Sequence, residues 1–461
     1  MVASRAVGVA VALAVGLGGG FAWGYVTAAA VAPDGERQPE PAPPAEASTS
    51  AADPAAPPLP RQRPGPAAGH WQRVSAAASG TEDVEATRDL ANVPYLSGYV
   101  EGAEGAGVAL HDRERAQPGY NLIVSGHAAE ALLCDMDGVE LHRWRFDVRG
   151  FDPRRARRKA SERAKSFWRR AHVFPNGDLL AIFDGYRLIR LDRESGLVWA
   201  VDGGCHHDVC VDDQGDIHAL GRRVRRRARA RAGFAQEGPI WEDEILTLNS
   251  AGKVLRRVSV LECFLRSDYS AVLHRAARDG DVLHTNTIEV LDGRFADVFP
   301  AGAKGNVLIS SPTTDTIAIL DPRQRTVVWA MSGMWKYQHE PSLVDGGRVL
   351  LFDNQGHHGK SKVIEFDPRT QQIVWSYRGA DDAPLFSVVL GACHRLANGN
   401  TLITESTAGR ALEVTAGGEV VWEYLNPQRI GKQNELVATL FDTVRLEPDY
   451  FAADFVAAWQ R

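Results

Sequence analysis

Four histidines recur at fixed distances from turn glycines and a fifth opens a comparable stretch, and imidazole is the side chain suited to acid–base, nucleophilic and metal chemistry near neutral pH. His207 lies eight residues before Gly215 in HHDVCVDDQG, and His339 lies eight before Gly347 in QHEPSLVDGG. His284 opens a comparable stretch, LHTNTIEVLDG. His172 and His394 stand five residues before Gly177 and Gly399 and form a second set. A lone histidine is most often a hydrogen-bonded structural residue, and duplication alone can copy such a residue. Three at one repeat position favour a shared site. Neutral imidazoles suit zinc, although no CxxC pair and no helical H-x-x-x-H spacing accompanies them. Without a metal, one imidazole can attack an electrophile while its neighbours neutralise developing oxyanion charge.

The elements that must position these residues are short strands. An apolar strand follows a Gly-bearing turn, a second ends in Asp, and a third contains Trp. Residues 175–201, 345–377, 397–424, 304–331 and 120–146 all carry this unit, and 214–260 carries it with an Arg-rich interruption. The turns are Asn-Gly, Asp-Gly or Gly-Gly, the strongest short-range hairpin signals. Trp144, Trp199, Trp329, Trp375 and Trp422 recur at one place in the unit and are read as packing between sheets. Six copies of about 60 residues each predict an all-β, six-bladed β-propeller, whose inner strands line a central channel. Helical periods are expected only near 82–92 and 261–279. The stretch 433–461 is expected to close the propeller. His206 is expected on the opposite strand face from His207, because strand side chains alternate.

Composition bounds the function. Net charge is −6, with 44% hydrophobic and 24% charged residues, which are globular values and argue against a nucleic-acid binder. Basic residues cluster at 154–170, including Arg169 and Arg170, and at 222–231; such runs read as solvated loops. Residues 6–33 carry no charge and follow Arg5. About 20 apolar residues span a bilayer, so residues 1–32 form either an N-terminal membrane anchor helix, tethering the chain through residues 6–32, or a cleavable signal peptide. Residues 33–75 form a Pro/Ala-rich disordered linker, and 76–461 the propeller. The folded body is expected outside the cytoplasm, tethered to the cell membrane or free in the periplasm or medium. There disulfides are permitted: Cys205 and Cys210 are spaced for a local bridge, and five cysteines leave at least one thiol.

Five pieces in order resemble the bacterial PAPS-independent arylsulfotransferase family: HHDV (206–209), HTNTI (284–288), GNVLISS (305–311), QHEPSLVDGGRVLLFDN (338–354) and CHRLANGNTLI…GRALEVTAGGEVVWEYLNP (393–427). The resemblance covers about 90 to 450. It implies an exported six-bladed propeller that moves a sulfuryl group from a phenolic sulfate to a phenol through a sulfated histidine, without metal, nucleotide or other cofactor. It implies His339 as the nucleophile, His207 and His284 on the sulfuryl or phenolic oxygens, and Asn286 supporting His284 beside the substrate. His172 and His394, the second set, are expected to bind substrate. One departure stands out. Where the family often has an arginine after two serines, this chain has Ser310-Ser311-Pro312; Lys362, Arg378 and Arg410 are the substitutes considered. Two other classes compete: a non-catalytic propeller that binds an anion or a protein partner at the channel mouth, and a metal-dependent hydrolase or lyase.

Overall fold

The computed structural model describes residues 105–151, 165–226, 234–430 and 436–459, with backbone alone at 71–73 and 230–231. The N-terminal segment, most of the linker and the arginines at 154–163 lie outside the described residues.

Alternating apolar residues and glycine turns fold into six antiparallel sheets, a six-bladed propeller. Each sheet runs from an innermost to an outermost strand. The second blade shows the order: Arg170–Val173, Leu179–Phe183, Tyr186–Leu191 and Leu197–Cys205. The innermost strands of the third to sixth blades are Val209–Val211, Thr287–Val290, His339–Val344 and Ala392–Arg395. The first blade takes its innermost strand, Leu440–Leu446, from the C-terminal part of the chain, paired to Tyr120–Ser125. In return Gly107–His111 adds a fifth, outer strand to the sixth blade, on Val420–Leu425. The ring is thus closed twice by chain segments more than 300 residues apart in sequence. Trp71–Arg73, in the segment expected to be a spacer, pairs with Leu436–Ala438.

The repeated tryptophans lie in the fourth strand of their blades, counted from the axis, and fasten blade to blade. Trp144 donates to Gly177 O (2.9 Å), Trp199 to Ser250 O (3.0 Å), Trp375 to Ala416 O (3.0 Å) and Trp422 to Met136 O (2.9 Å). Each acceptor is a turn carbonyl of the next blade, and Trp422 closes the ring from the sixth blade to the first. Trp329 instead meets Phe299 edge-on at 5.4 Å. The expected helical stretch at 261–279 is one short α-helix, Val260–Leu265, and a 3-10 turn, Ser270–Arg275. A last helix, Ala453–Trp459, packs Phe455 against Trp144.

At the axis Arg170 joins the blades by charge. It bonds Asp208 of the third blade (2.7 Å), Glu340 of the fifth (2.5 and 2.6 Å) and Asp442 of the first. Asp208 also accepts from the Ile288 N–H of the fourth blade (2.9 Å), and Asp442 meets His394 of the sixth (3.0 Å). One guanidinium and its partners therefore touch all six innermost strands. This corrects the reading of Arg169 and Arg170 as a solvated run: both are buried, because they begin an inner strand.

No disulfide joins any two of the five cysteines. The proposed partners sit at opposite edges of neighbouring blades, Cys205 ending an outermost strand and Cys210 within an innermost one.

Replacing Arg170 by Met strands three carboxylates at the axis and should cost about 3–5 kcal/mol. Trp422→Phe removes one hydrogen bond and should cost about 1 kcal/mol. Urea unfolding of both variants checks the ranking, and equal costs would show that the axial network is not the main fastening.

Candidate functional site

His207, His284 and His339 enter the channel at the starts of the third, fourth and fifth inner strands. The His207 and His284 rings meet edge to face at 4.8 Å. His339 is fixed beside them through its neighbours' backbone: Asn286 Nδ2 donates to Gln338 O (3.1 Å), and the Glu340 N–H donates to Thr287 Oγ1 (3.1 Å). His207 and His284 have positive φ, 55° and 51°, as do Tyr337 and Glu340 on either side of His339. Left-handed backbone at non-glycine residues costs about 1 kcal/mol each and clusters at functional sites.

That kink also overturns the expected placement of His206. Strand alternation fails at His207, so His206 turns to the same side, and the two Nδ1 atoms lie 2.8 Å apart. The His207 N–H is held by Asp184 Oδ1 at 3.3 Å.

The hydrogen bonds of His339 set its tautomer. Its Nδ1 faces Tyr337 O (3.0 Å) and Asn354 Oδ1 (2.8 Å). The Asn354 amide is oriented by donating to Ser387 O (2.7 Å) and to Leu390 O. Both partners of Nδ1 are acceptors, so Nδ1 carries the hydrogen and Nε2 the lone pair. Burial, reinforced by the nearby Arg169 and His284 charges and only partly opposed by Asn354, pushes the His339 pKa down to about 3. The ring is neutral at physiological pH.

His284 has the opposite environment. Burial disfavours its charge, but the hydrogen bond to Asp281 (2.6 Å) and that carboxylate's field overcome burial and hold its pKa above the ordinary value. His207 is held well below the ordinary value by burial, then by His284 and Arg169. A neutral imidazole with a free lone pair thus shares the channel mouth with a proton-retaining one. That is an arrangement for nucleophilic attack with acid–base assistance.

The remaining expected residues fall as follows. Asn286 braces the backbone beside His339. His172 lies further down its strand, roughly 10 Å from residue 169, and its ring packs on Phe174 at 5.1 Å. His394 meets Asp442 in the axial network. Pro312 begins a buried 3-10 turn, Pro312–Thr314. Lys362, Arg378 and Arg410 each face a carboxylate of their own: Asp353 (3.6 Å), Asp381 (3.7 Å) and Glu405 (2.6 Å).

Sequence reasoning missed three contributors. Asn354 closes the QHEPSLVDGGRVLLFDN stretch, fifteen residues after His339. Asp281 lies three residues before His284. Arg169 was overlooked although it stands eight residues before Gly177, as His207 does before Gly215. Among the described residues no three His, Cys, Asp or Glu groups are arranged to hold a metal ion.

Buried neutral histidines make stability depend on acid. Burial lowers the His172 pKa from 6.5 to about 4. Between these values the unfolded chain binds more protons, so this group's contribution is complete above pH 6.5 and falls as pH drops. His172→Phe should flatten the acid-side decline in stability by about 1.4 kcal/mol per pH unit. Melting temperatures from pH 4 to 7 test this, and unchanged slopes would place His172 in water.

No curated protein matches the sequence. Among solved structures, a protein of unknown function from Bacteroides caccae is 13% identical, with 71% of this chain and 98% of that chain covered and a TM-score of 0.46. A streptogramin B lyase is 13% identical, with 74% and 91% covered and a TM-score of 0.40. The profile of arylsulfotransferase (ASST) spans residues 170–427, more than half of the chain and the region that carries all the channel histidines. The chain belongs to the arylsulfotransferase family.

Proposed function

We propose that the protein transfers a sulfuryl group from a phenolic sulfate to a phenol through a histidine intermediate, with His339 as the nucleophile. The observation that carries this reading is the His339 ring: neutral, with its hydrogen on Nδ1 by two acceptors, and its Nε2 lone pair available.

In the first half-reaction, Nε2 of His339 attacks the sulfur of the aryl sulfate. The N–S bond forms, the S–O bond to the ring breaks, and the phenolate leaves with the electron pair. His284, kept protonated by Asp281, gives its proton to that oxygen. His207, receiving the His206 Nδ1–H on its own Nδ1, donates Nε2–H to a sulfuryl oxygen. In the second half, neutral His284 takes the proton of the acceptor phenol, whose oxygen attacks sulfur and releases His339. Asn354 neutralises no charge; it holds the reacting tautomer and the ring direction.

Family membership supports small phenolic sulfates as substrates. The uncharged N-terminal run supports an exported site of action, at the outer face of the membrane or beyond it.

The test is release of nitrophenolate from p-nitrophenyl sulfate, with and without phenol and in chelator. The wild type should show phenol-dependent release, and His339→Asn should lose at least about 10³-fold in kcat/KM. Folded protein that turns over no phenolic sulfate would establish the non-catalytic anion-binding propeller instead. Loss of release in chelator would establish the metal-dependent one.

A further inference from the structure

The count that locates the histidines also locates a cation. Eight residues before the turn glycine, the third blade has His207, the fifth has His339 and the second has Arg169. Of the residues that follow them, Arg170 donates to both Asp208 and Glu340. Arg169 is therefore at the histidine end of the channel, one residue beyond the axial network. Its backbone N–H is held by Ile182 O (2.8 Å), and its guanidinium lies 4.9 Å above the Phe441 ring.

The side chain is buried, with the residue only 8% exposed. Among the described residues its guanidinium forms no ion pair and no side-chain hydrogen bond. The carboxylates whose fields reach it are Asp184, Glu340 and Asp208, and the last two are already bonded to Arg170. Five N–H donors without an acceptor in the chain, on nitrogens that are not sealed from solvent, suit an anion from outside the chain. The Arg169 charge is felt at both His207 and His339. Arg222, the first of the second basic run, adds a positive field at His284 from above Trp241, and its Nε is buried without a partner.

We infer that Arg169 binds the oxyanion of the donor's sulfate group, supplying from the second blade the guanidinium that Pro312 cannot supply from the fourth. This rests on the sulfuryl-transfer reading for the donor's identity. The chemistry it needs is general: a tetrahedral oxyanion accepting two parallel N–H bonds from a planar guanidinium.

The experiment uses the full chain, with inorganic sulfate as the probe and Arg169→Met and Arg169→Lys as variants. Without sulfate, Arg169→Met should melt at or above the wild-type temperature, because it removes a buried charge that lacks a partner. Sulfate should raise the wild-type melting temperature, leave Arg169→Met unmoved and shift Arg169→Lys by less than the wild type. With p-nitrophenyl sulfate, kcat/KM of Arg169→Met should fall by about 10²–10³-fold. A lower sulfate-free melting temperature together with an intact sulfate shift would make Arg169 a structural cation and overturn the proposal. So would a wild type that sulfate does not stabilise, or turnover by Arg169→Met equal to the wild type, which leaves the transferase reading standing. A sulfate shift that depends on Arg169 in a protein that turns over no sulfate ester upholds the anion site and removes the transferase reading.

Discussion

Everything at the channel mouth depends on one buried guanidinium. A propeller's inner strands have no hydrogen-bonded neighbour on the axial side, so nothing in the sheet ladders fixes how far one blade is displaced along the axis against the next. Arg170 fixes it. Its bonds to Asp208, Glu340 and Asp442, with Ile288 N and His394 taking the remaining carboxylate oxygens, hold six strands from distant parts of the sequence at one level. Three carboxylates share this one guanidinium. Burial raises the pKa of Glu340 against the pull of Arg170. Because Asp208 follows His207 and Glu340 follows His339, fixing the acids also fixes the imidazoles.

The outer rim and the axis are stabilised by different means. Outside, each of four indoles donates to a turn of the next blade while packing its ring in the seam. This is apolar burial with its one polar group satisfied. Inside, the chain accumulates costs: left-handed histidines, desolvated neutral imidazoles and a guanidinium without a counter-ion. A fold tolerates such strain when its surroundings over-determine it. Here that support comes from the axial network, the Trp-bonded seams and the double closure. The closing strand is anchored by the fully buried Arg445–Glu413 pair at 2.8 Å.

Much of this was legible in the residues. Turn glycines and a recurrent Trp give blade number, strand order and the channel end of each inner strand, because each reflects a local rule. The failures share one cause: the property lay in a contact between blades. Arg169 and Arg170 look like the end of a solvated basic run until the ring brings Asp208, Glu340 and Asp442 around the second. His206 follows strand alternation until a positive φ at His207 turns it. Asn354 carries no signal of its own in the sequence because its partners, Ser387 and Leu390, lie more than 30 residues on. Arg169 was findable. The eight-residue count, applied to the second blade without asking for a histidine, lands on it.

The two environments of His284 and His339 give the proposed reaction its division of labour. Identical side chains in water titrate together and cannot serve as base and acid at one pH. Here burial with only neutral acceptors drives one imidazole to its neutral form, and a carboxylate at 2.6 Å keeps the proton on the other. Separating the two pKa values in this way assigns the nucleophile and the proton donor to different rings. A low pKa that arises from desolvation and neighbouring charge differs from one that arises from electron withdrawal: the lone pair of His339 is not drawn into the ring, and it is the protonated form that loses solvation and meets the Arg169 and His284 charges. The nucleophile therefore stays neutral across the physiological range. Attack on sulfur places the ring's developing positive charge next to the sulfate's own negative oxygens, so the intermediate carries its counter-charge into a pocket that holds none for the free imidazolium.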